Sequence, residues 1–275
     1  MLDMSVPIAD FTPTEILRYG AYASFDIPET ARGQMKSAAV SALMERLGLH
    51  NEFQRGAPGG SYAFLRRAGS TPYEAIIHVA SESATAVDGF CREIVHMLRP
   101  AEVTIHRGVV RPTSFTGAAM HYFAYAHQVT QQPGELMPNA FFVPLSKTPE
   151  WWAKTWMERH TYFLPRYDDE GRMLNEGHAL AAAAGISCLY RRTYRYEVTP
   201  APDGCYDFLN YFECSDDAVP TFHAVCAALR DIRKNPEWKF VQEGPTWSGR
   251  RVATWEELVE LGTNQSSFHH WPETR

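Results

Sequence analysis

The chain has 275 residues, 45% of them hydrophobic and 21% charged, an ordinary globular balance with enough apolar material for a sizeable core. A formal charge of -6 without any Lys/Arg run excludes a protein that tracks nucleic-acid phosphates through clustered positive charge. No apolar run approaches the roughly 18 residues of a membrane span, and MLDMSVPIADFTPTE lacks the basic and apolar regions of a secretory signal, so the expectation is a cytoplasmic protein handling a small molecule.

Five cysteines, Cys91, Cys188, Cys205, Cys214 and Cys226, form no CxxC and are odd in number, which points to buried thiols rather than a disulfide framework or a zinc site. Taken in chain order, periodicity predicts a strand at RYGAYASF (18–25) and a helix at ETARGQMKSAAVSALMERLG (29–48) that ends on Gly48. Strands follow at SYAFLRR (61–67) and EAIIHVA (74–80), joined by AGSTP, then a helix at ATAVDGFCREIVHMLR (84–99) and a strand at EVTIHRGVV (102–110). After a weakly patterned stretch the order returns. NAFFVPLSK (139–147) reads as a strand and 150–184 as a long helical region. ISCLYRRTYRYEV (186–198) then pairs with CYDFLNYFEC (205–214), DAVPTFHAVCAALRDIRKN (217–235) is a helix, and KFVQEGP (239–245) opens the last strand.

Two copies of βαββαβ are the ferredoxin-like pattern, so the fold class is α+β, with tandem ferredoxin-like repeats whose sheets cover one another as an α+β barrel. The expected division is a first domain at 1–113, a linker at 114–138, a second domain at 139–262 and a polar tail at 263–275 that holds His269 and His270. All seven tryptophans, Trp151, Trp152, Trp156, Trp238, Trp247, Trp255 and Trp271, lie in the second half, which weakly favours a site there.

Within the long helical region, GRMLNEGHALAAAAG (171–185) sets His178 among small residues, with Leu174 and Ala182 on the same face at four-residue spacing. Such a face lets a flat macrocycle approach the backbone while the imidazole reaches its metal. The segment alone fits better a histidine satisfied by an ordinary hydrogen bond. Arg191 and Arg192 must point to opposite faces of their strand, so one of them can meet a pocket as an anion clamp. The other reading is a cross-strand ion pair with Asp207 or Glu213. Glu237 is either a solvated surface group or the carboxylate that accepts the second N–H of His178. His160 and His223 are further helical histidines that fit ordinary packing.

PLSKTPEWW (144–152), NEGH ending at His178, an arginine thirteen residues later, DFLNYFEC (207–214) and KNPEWKFVQEGP (234–245) together resemble the chlorite dismutase family of haem proteins, in the dimeric α+β barrel superfamily. The resemblance implies haem b, with His178 as the ligand to its iron, Arg191 as the distal arginine, Glu237 as the carboxylate behind the histidine, and Trp151 and Trp152 in the haem pocket. It also implies decomposition of chlorite to chloride and dioxygen, and a homo-oligomer, a pentamer by the family's habit. This chain departs from the pattern by an insert of roughly a dozen residues between Trp152 and His178, and by Glu243 where the family tends to carry tryptophan. Those departures favour, as the alternative, a haem enzyme of the same fold working on peroxide or an N–O compound, a peroxidase or an aldoxime dehydratase. A haem carrier or sensor without turnover is a further alternative, and a cofactor-free enzyme with His160 as general base comes last. Val143 and Arg191, where coproheme decarboxylases carry tyrosine and glutamine, disfavour that activity.

Overall fold

The computed structural model describes residues 17–27, 37–56, 73–110 and 137–259. The first repeat runs β1 (Tyr19–Phe25), α1 (Ser37–Arg46), β2 (His50–Gly56), β3 (Ala75–Ser81), α2 (Ala84–Met97) and β4 (Val103–Val110). Its strands pair antiparallel in the order β4-β1-β3-β2, and α2 starts on Ser83, whose side chain accepts the Ala86 N–H. The second repeat opens with β5 (Asn139–Lys147) and pairs it with β9 (Phe208–Cys214), which pairs in turn with β8 (Tyr190–Arg195). Helix α6 (Val219–Arg230) follows β9, and two short strands, β10 (Val241–Glu243) and β11 (Trp247–Val252), share the remaining edge of β5.

Two further ladders, β4 with β8 and β2 with β11, join the repeats. The result is a closed ring of eight antiparallel strands, with β10 as a side strand. Closure leaves each sheet covered by helices outside and by the other sheet inside, as the tandem α+β pattern requires. Helix α7 (Trp255–Val259) comes back under the first repeat, where Trp255 and Leu258 join Leu43, Phe90 and Ile94 in its core. Among the described residues no helix is long and apolar enough to cross a membrane.

Three expectations need correction. The strand beside β3 is HNEFQRG, not SYAFLRR, which lies outside the described residues. It escapes an apolar-alternation test because Glu52 and Gln54, although buried, face the barrel interior, while Phe53 on the other face packs in the helix-side core. The region 150–184 is not one long helix: it breaks into α3 (Pro149–Ala153), α4 (Trp156–Thr161), a hairpin of β6 (Arg166–Tyr167) and β7 (Met173–Asn175), and α5 (Gly177–Ala181). A capping box on Thr155 and Glu158 starts α4 afresh, and Gly171, with φ 76°, turns the hairpin. Leu174 therefore sits exposed on β7, off the face that His178 shares with Ala182. Finally, the last strand is two segments, since KFVQEGP supplies only β10.

The barrel interior is part aromatic and part ionic. Tyr22, Ile76, Phe142, Tyr194, Tyr211 and Trp247 fill most of it. Beside them, Arg192 Nη2 donates to Glu52 Oε2 at 2.8 Å, and Arg251 Nη1 donates to both oxygens of Glu213 at 3.0 Å. His78 Nδ1 lies 3.2 Å from Glu52 Oε2, and its Nε2 meets the Tyr194 hydroxyl at 3.1 Å. Two carboxylates thus face two guanidiniums, which is how charge survives burial. Burial pushes the Glu52 carboxyl up, but Arg192, His50 and His78 outweigh it and hold the group well below its usual 4.5. Burial, reinforced by Arg192, pushes His78 from 6.5 down to about 3.

Both shifts act on stability in one direction. Below its usual pKa of 6.5 an unfolded His78 takes up a proton that the folded chain refuses until about 3, so stability falls with pH across that window. Glu52 adds to the loss as pH drops through 4.5 toward its lower folded value. Urea unfolding followed from about pH 7 to about pH 4 is expected to show this fall, with His78 contributing at most about 1.4 kcal/mol per pH unit. In a His78→Gln variant the fall above about pH 5 is expected to become shallower, with His106, which burial pushes from 6.5 to about 4, and His223, also lowered by burial, supplying the rest; an unchanged slope there would contradict the assignment.

Candidate functional site

A cleft opens in the second repeat between the outer face of its sheet and its helices. Val143 and Leu145 of β5, Asn210 and Phe212 of β9, and Arg191 of β8 form the sheet wall. Val225, Cys226 and Leu229 of α6, together with His178, Ala179 and Ala182, form the helix wall. Ala179, Ala182 and Gly185 keep this wall low, and the lining is mostly apolar, as ligand sites usually are.

His178 is delivered by local geometry. Gly177 has φ 63°, and a Cβ there would lie 2.4 Å from the Leu164 carbonyl, so only glycine lets the chain enter α5 at this point. Its N–H donates to Lys234 O, and the His178 and Ala179 amides donate to Tyr162 O and Phe163 O, tying α5 to two separate segments. The His178 ring stacks on Phe163.

Nδ1 of His178 donates to Glu237 Oε2 at 3.0 Å. The other oxygen of Glu237 accepts from Lys147 Nζ at 2.5 Å. Burial pushes the Glu237 carboxyl up, but the Lys147 ammonium and the His178 ring outweigh it and hold the group well below the usual carboxylate range. An ionised carboxylate can only accept, so the proton of neutral His178 sits on Nδ1 and Nε2 carries a lone pair. That is the tautomer a metal ligand needs.

Arg191 and Arg192 part as alternation requires: Arg191 lines the cleft, while Arg192 is buried inside the barrel. The ion-pair partner of Arg192 is Glu52, not Asp207 or Glu213. The cleft thus has an imidazole on its helix wall and a guanidinium on its sheet wall.

Trp151 and Trp152 do not line the cleft; they brace it. Trp151 lies under the Lys147 ammonium, 4.5 Å from ring centroid to nitrogen, and packs on Phe240. Trp152 Nε1 donates to Asp207 Oδ2 at 3.1 Å. Asp207, fully buried, also accepts the Lys147 and Ala201 backbone N–H groups, so one carboxylate fastens the end of β5, the helix α3 and the turn before β9. Among the described tryptophans only Trp238 lines the cleft. His160 stacks on Trp156 outside it. Arg230, which lines the cleft, lies over Trp238 and pairs with Glu243, so the departure at Glu243 places an ion pair beside the cleft.

Sequence reasoning gave no role to Lys147, although it sits inside the quoted PLSKTPEWW. Its signal is positional: a lysine ending an apolar strand just before Pro149 can turn back under the sheet only if an acid awaits it. Nothing local to Lys147 names that acid, which lies ninety residues on.

No family model matches the chain, and no curated protein compared with it matches. Solved structures do. The chain is similar to chlorite dismutase from Candidatus Nitrospira defluvii in complex with imidazole, at 20% identity and TM-score 0.63, covering 88% of this chain and 93% of that one. It is similar also to a variant of that enzyme with tryptophan replaced by phenylalanine, in complex with cyanide, at 19% identity and TM-score 0.63, covering 88% and 92%. A variant with arginine replaced by alanine gives 19% and 0.62, covering 88% and 93%. Over nearly its whole length, then, the chain has the fold of the chlorite dismutase structures.

Proposed function

We propose that the chain binds haem b in the cleft of its second repeat, with His178 Nε2 as the ligand to the iron, and decomposes chlorite to chloride and dioxygen. The observation that carries this reading is the relay Lys147–Glu237–His178 facing Arg191 across an apolar slot. The donor set fits the group: one imidazole whose Nδ1 is taken by Glu237, small residues beside it, and apolar walls for a flat macrocycle. Bound there, haem supplies the redox chemistry of an iron with one position open to a small oxidant.

The remaining roles belong to the chain. Glu237 takes the second N–H of His178, fixing the ring's direction and raising its basicity. Lys147 keeps Glu237 ionised under burial, and Trp151 and Asp207 keep Lys147 in place. Arg191 meets an anionic oxidant with a charge that is permanent and directed N–H groups, holding it and its fragments in the slot. Val143, Leu145 and Phe212 exclude water, which strengthens that attraction. The insert between Trp152 and His178, from which Phe163 lines the cleft, and Glu243, which pairs with Arg230 of the lining, favour a second reading, the same haem site acting on peroxide or an N–O compound.

Purified chain loaded with haem is expected to show a Soret band that His178→Ala abolishes or shifts; an unchanged spectrum would remove His178 as the ligand. An oxygen electrode should record gas release on adding chlorite, reduced roughly tenfold or more in Arg191→Ala. No oxygen, but peroxide-dependent oxidation or aldoxime dehydration, would select the second reading. Neither activity in a haem-bound chain would leave a carrier.

Glu237→Gln gives a separate test. Without the anionic acceptor, haem retention is expected to weaken by roughly 10- to 100-fold and the midpoint potential, read by spectroelectrochemical titration, to become more positive. A potential equal to that of the unsubstituted chain would show that Glu237 does not act on the imidazole.

A further inference from the structure

We propose that Glu52, in the repeat that holds no part of the cleft, is a positioning residue for Arg191, acting through the adjacent Arg192. The proposal rests on the reading of Arg191 as the anion-holding group. Its basis is that Arg191 and Arg192 are consecutive on β8 and therefore project from opposite faces of one strand. Whatever fixes one side chain fixes the roll of the strand, and with it the aim of the other.

Arg192 is fixed from several sides. Its Nη2 donates to Glu52 Oε2 on β2 at 2.8 Å, its Nε donates to the Tyr22 hydroxyl on β1 at 3.1 Å, and its guanidinium lies 4.7 Å from the Tyr211 ring on β9. Glu52 and Arg192 are 6% and 4% exposed, so water competes little for either charge. The pair crosses the barrel from one repeat to the other. By contrast, the ladders that hold β8 constrain it less against rolling: β9 pairs along its length on one side, and among the described residues β4 reaches it only at Arg195 and Tyr194, past the arginines. Loss of Glu52 leaves a buried guanidinium without its counter-ion, and the cheapest relief is for Arg192 to shift toward Glu213 or solvent. Either shift turns β8 and moves Arg191 along the cleft wall.

The test uses cyanide affinity of the ferric, haem-loaded chain, read from the visible spectrum, in Glu52→Gln, Arg191→Ala and the double variant. Arg191→Ala is expected to weaken binding. Glu52→Gln is expected to weaken it by roughly three- to tenfold while leaving the Soret band unchanged, and the double variant to bind no more weakly than Arg191→Ala alone. Additive losses would mean that Glu52 acts independently of Arg191, and would overturn the proposal. An Arg191→Ala variant with unaltered affinity overturns the anion role itself, a failure recognisable because it appears in the single variant.

Hydrogen exchange of the haem-free chain supplies a readout apart from the cofactor. Glu52→Gln is expected to speed exchange in peptides covering β8 while peptides covering β5 stay as they were. A uniform increase would mark general destabilisation and count against positioning. Should Glu52→Gln fail to fold, Tyr22→Phe removes only the acceptor for Arg192 Nε. It is expected to shift cyanide affinity in the same direction by roughly twofold, again without adding to Arg191→Ala; no shift, or an additive one, overturns the proposal.

Discussion

The ion pair between Glu52 and Arg192 is the constraint on which much of this molecule depends, because a closed barrel must fill its interior and this one fills part of it with charge. Removing two charged groups from water costs several kcal/mol unless each finds a partner of good geometry. Here the partners come from different repeats, so neither sheet can satisfy its own charge alone. Glu52 lies on β2 and Arg192 on β8; Arg251 on β11 lies 3.5 Å from Glu52 and also pairs with Glu213 on β9. The two ladders that join the repeats set these groups within reach. Hydrophobic burial holds the halves together, and the ionic set makes their register specific.

The same set explains what the sequence could and could not convey. Strands whose inner and outer faces are both apolar, such as NAFFVPLSK, were legible from composition. HNEFQRG was not, because its interior-facing residues, Glu52 and Gln54, are an acid and an amide, and a polar residue at such a position reads as solvent-facing until its burial is known. The partner of Glu52 lies 140 residues away. Likewise the region 150–184 has enough alanine, leucine and glutamate to read as helix, yet Pro165, Gly171 and Gly177 divide it; positive φ at the two glycines is incompatible with a continuing helix.

At the cleft the sequence named His178, Arg191 and Glu237 individually, and left each with an ordinary alternative. What it lacked was proximity. His178 Nδ1 and Glu237 are 59 positions apart in the chain, and Lys147 is 90 from Glu237. A lone histidine or glutamate has no distinguishing local pattern. Resemblance supplied the spacing from elsewhere, and the fold brings the three side chains into one chain of hydrogen bonds. It also reassigns the tryptophan pair: Trp151 and Trp152 hold Lys147 and Asp207 rather than facing the cleft, so their bulk serves the relay from behind.

Why the cleft lies in the second repeat follows from what the two copies place on the outer face of their sheets. In the first, Leu43, Phe90 and Ile94 pack between helices and sheet, joined by Trp255 and Leu258 of α7 from the far end of the chain. In the second, α6 closes only part of the sheet, where Phe141 and Phe222 stack with centroids 3.8 Å apart. The segment facing the rest is α5 and its continuation, where Ala179, Ala182 and Gly185 have little side-chain volume to reach the strands. Cores pack near crystalline density wherever large side chains are available, and a row of small ones opposite an apolar sheet leaves a gap that the surrounding structure is too stiff to close. One motif, used twice, thus gives a half whose sheet is covered by large apolar side chains and a half whose apolar sheet faces small ones across a cleft. The buried pair of Glu52 and Arg192 joins the two.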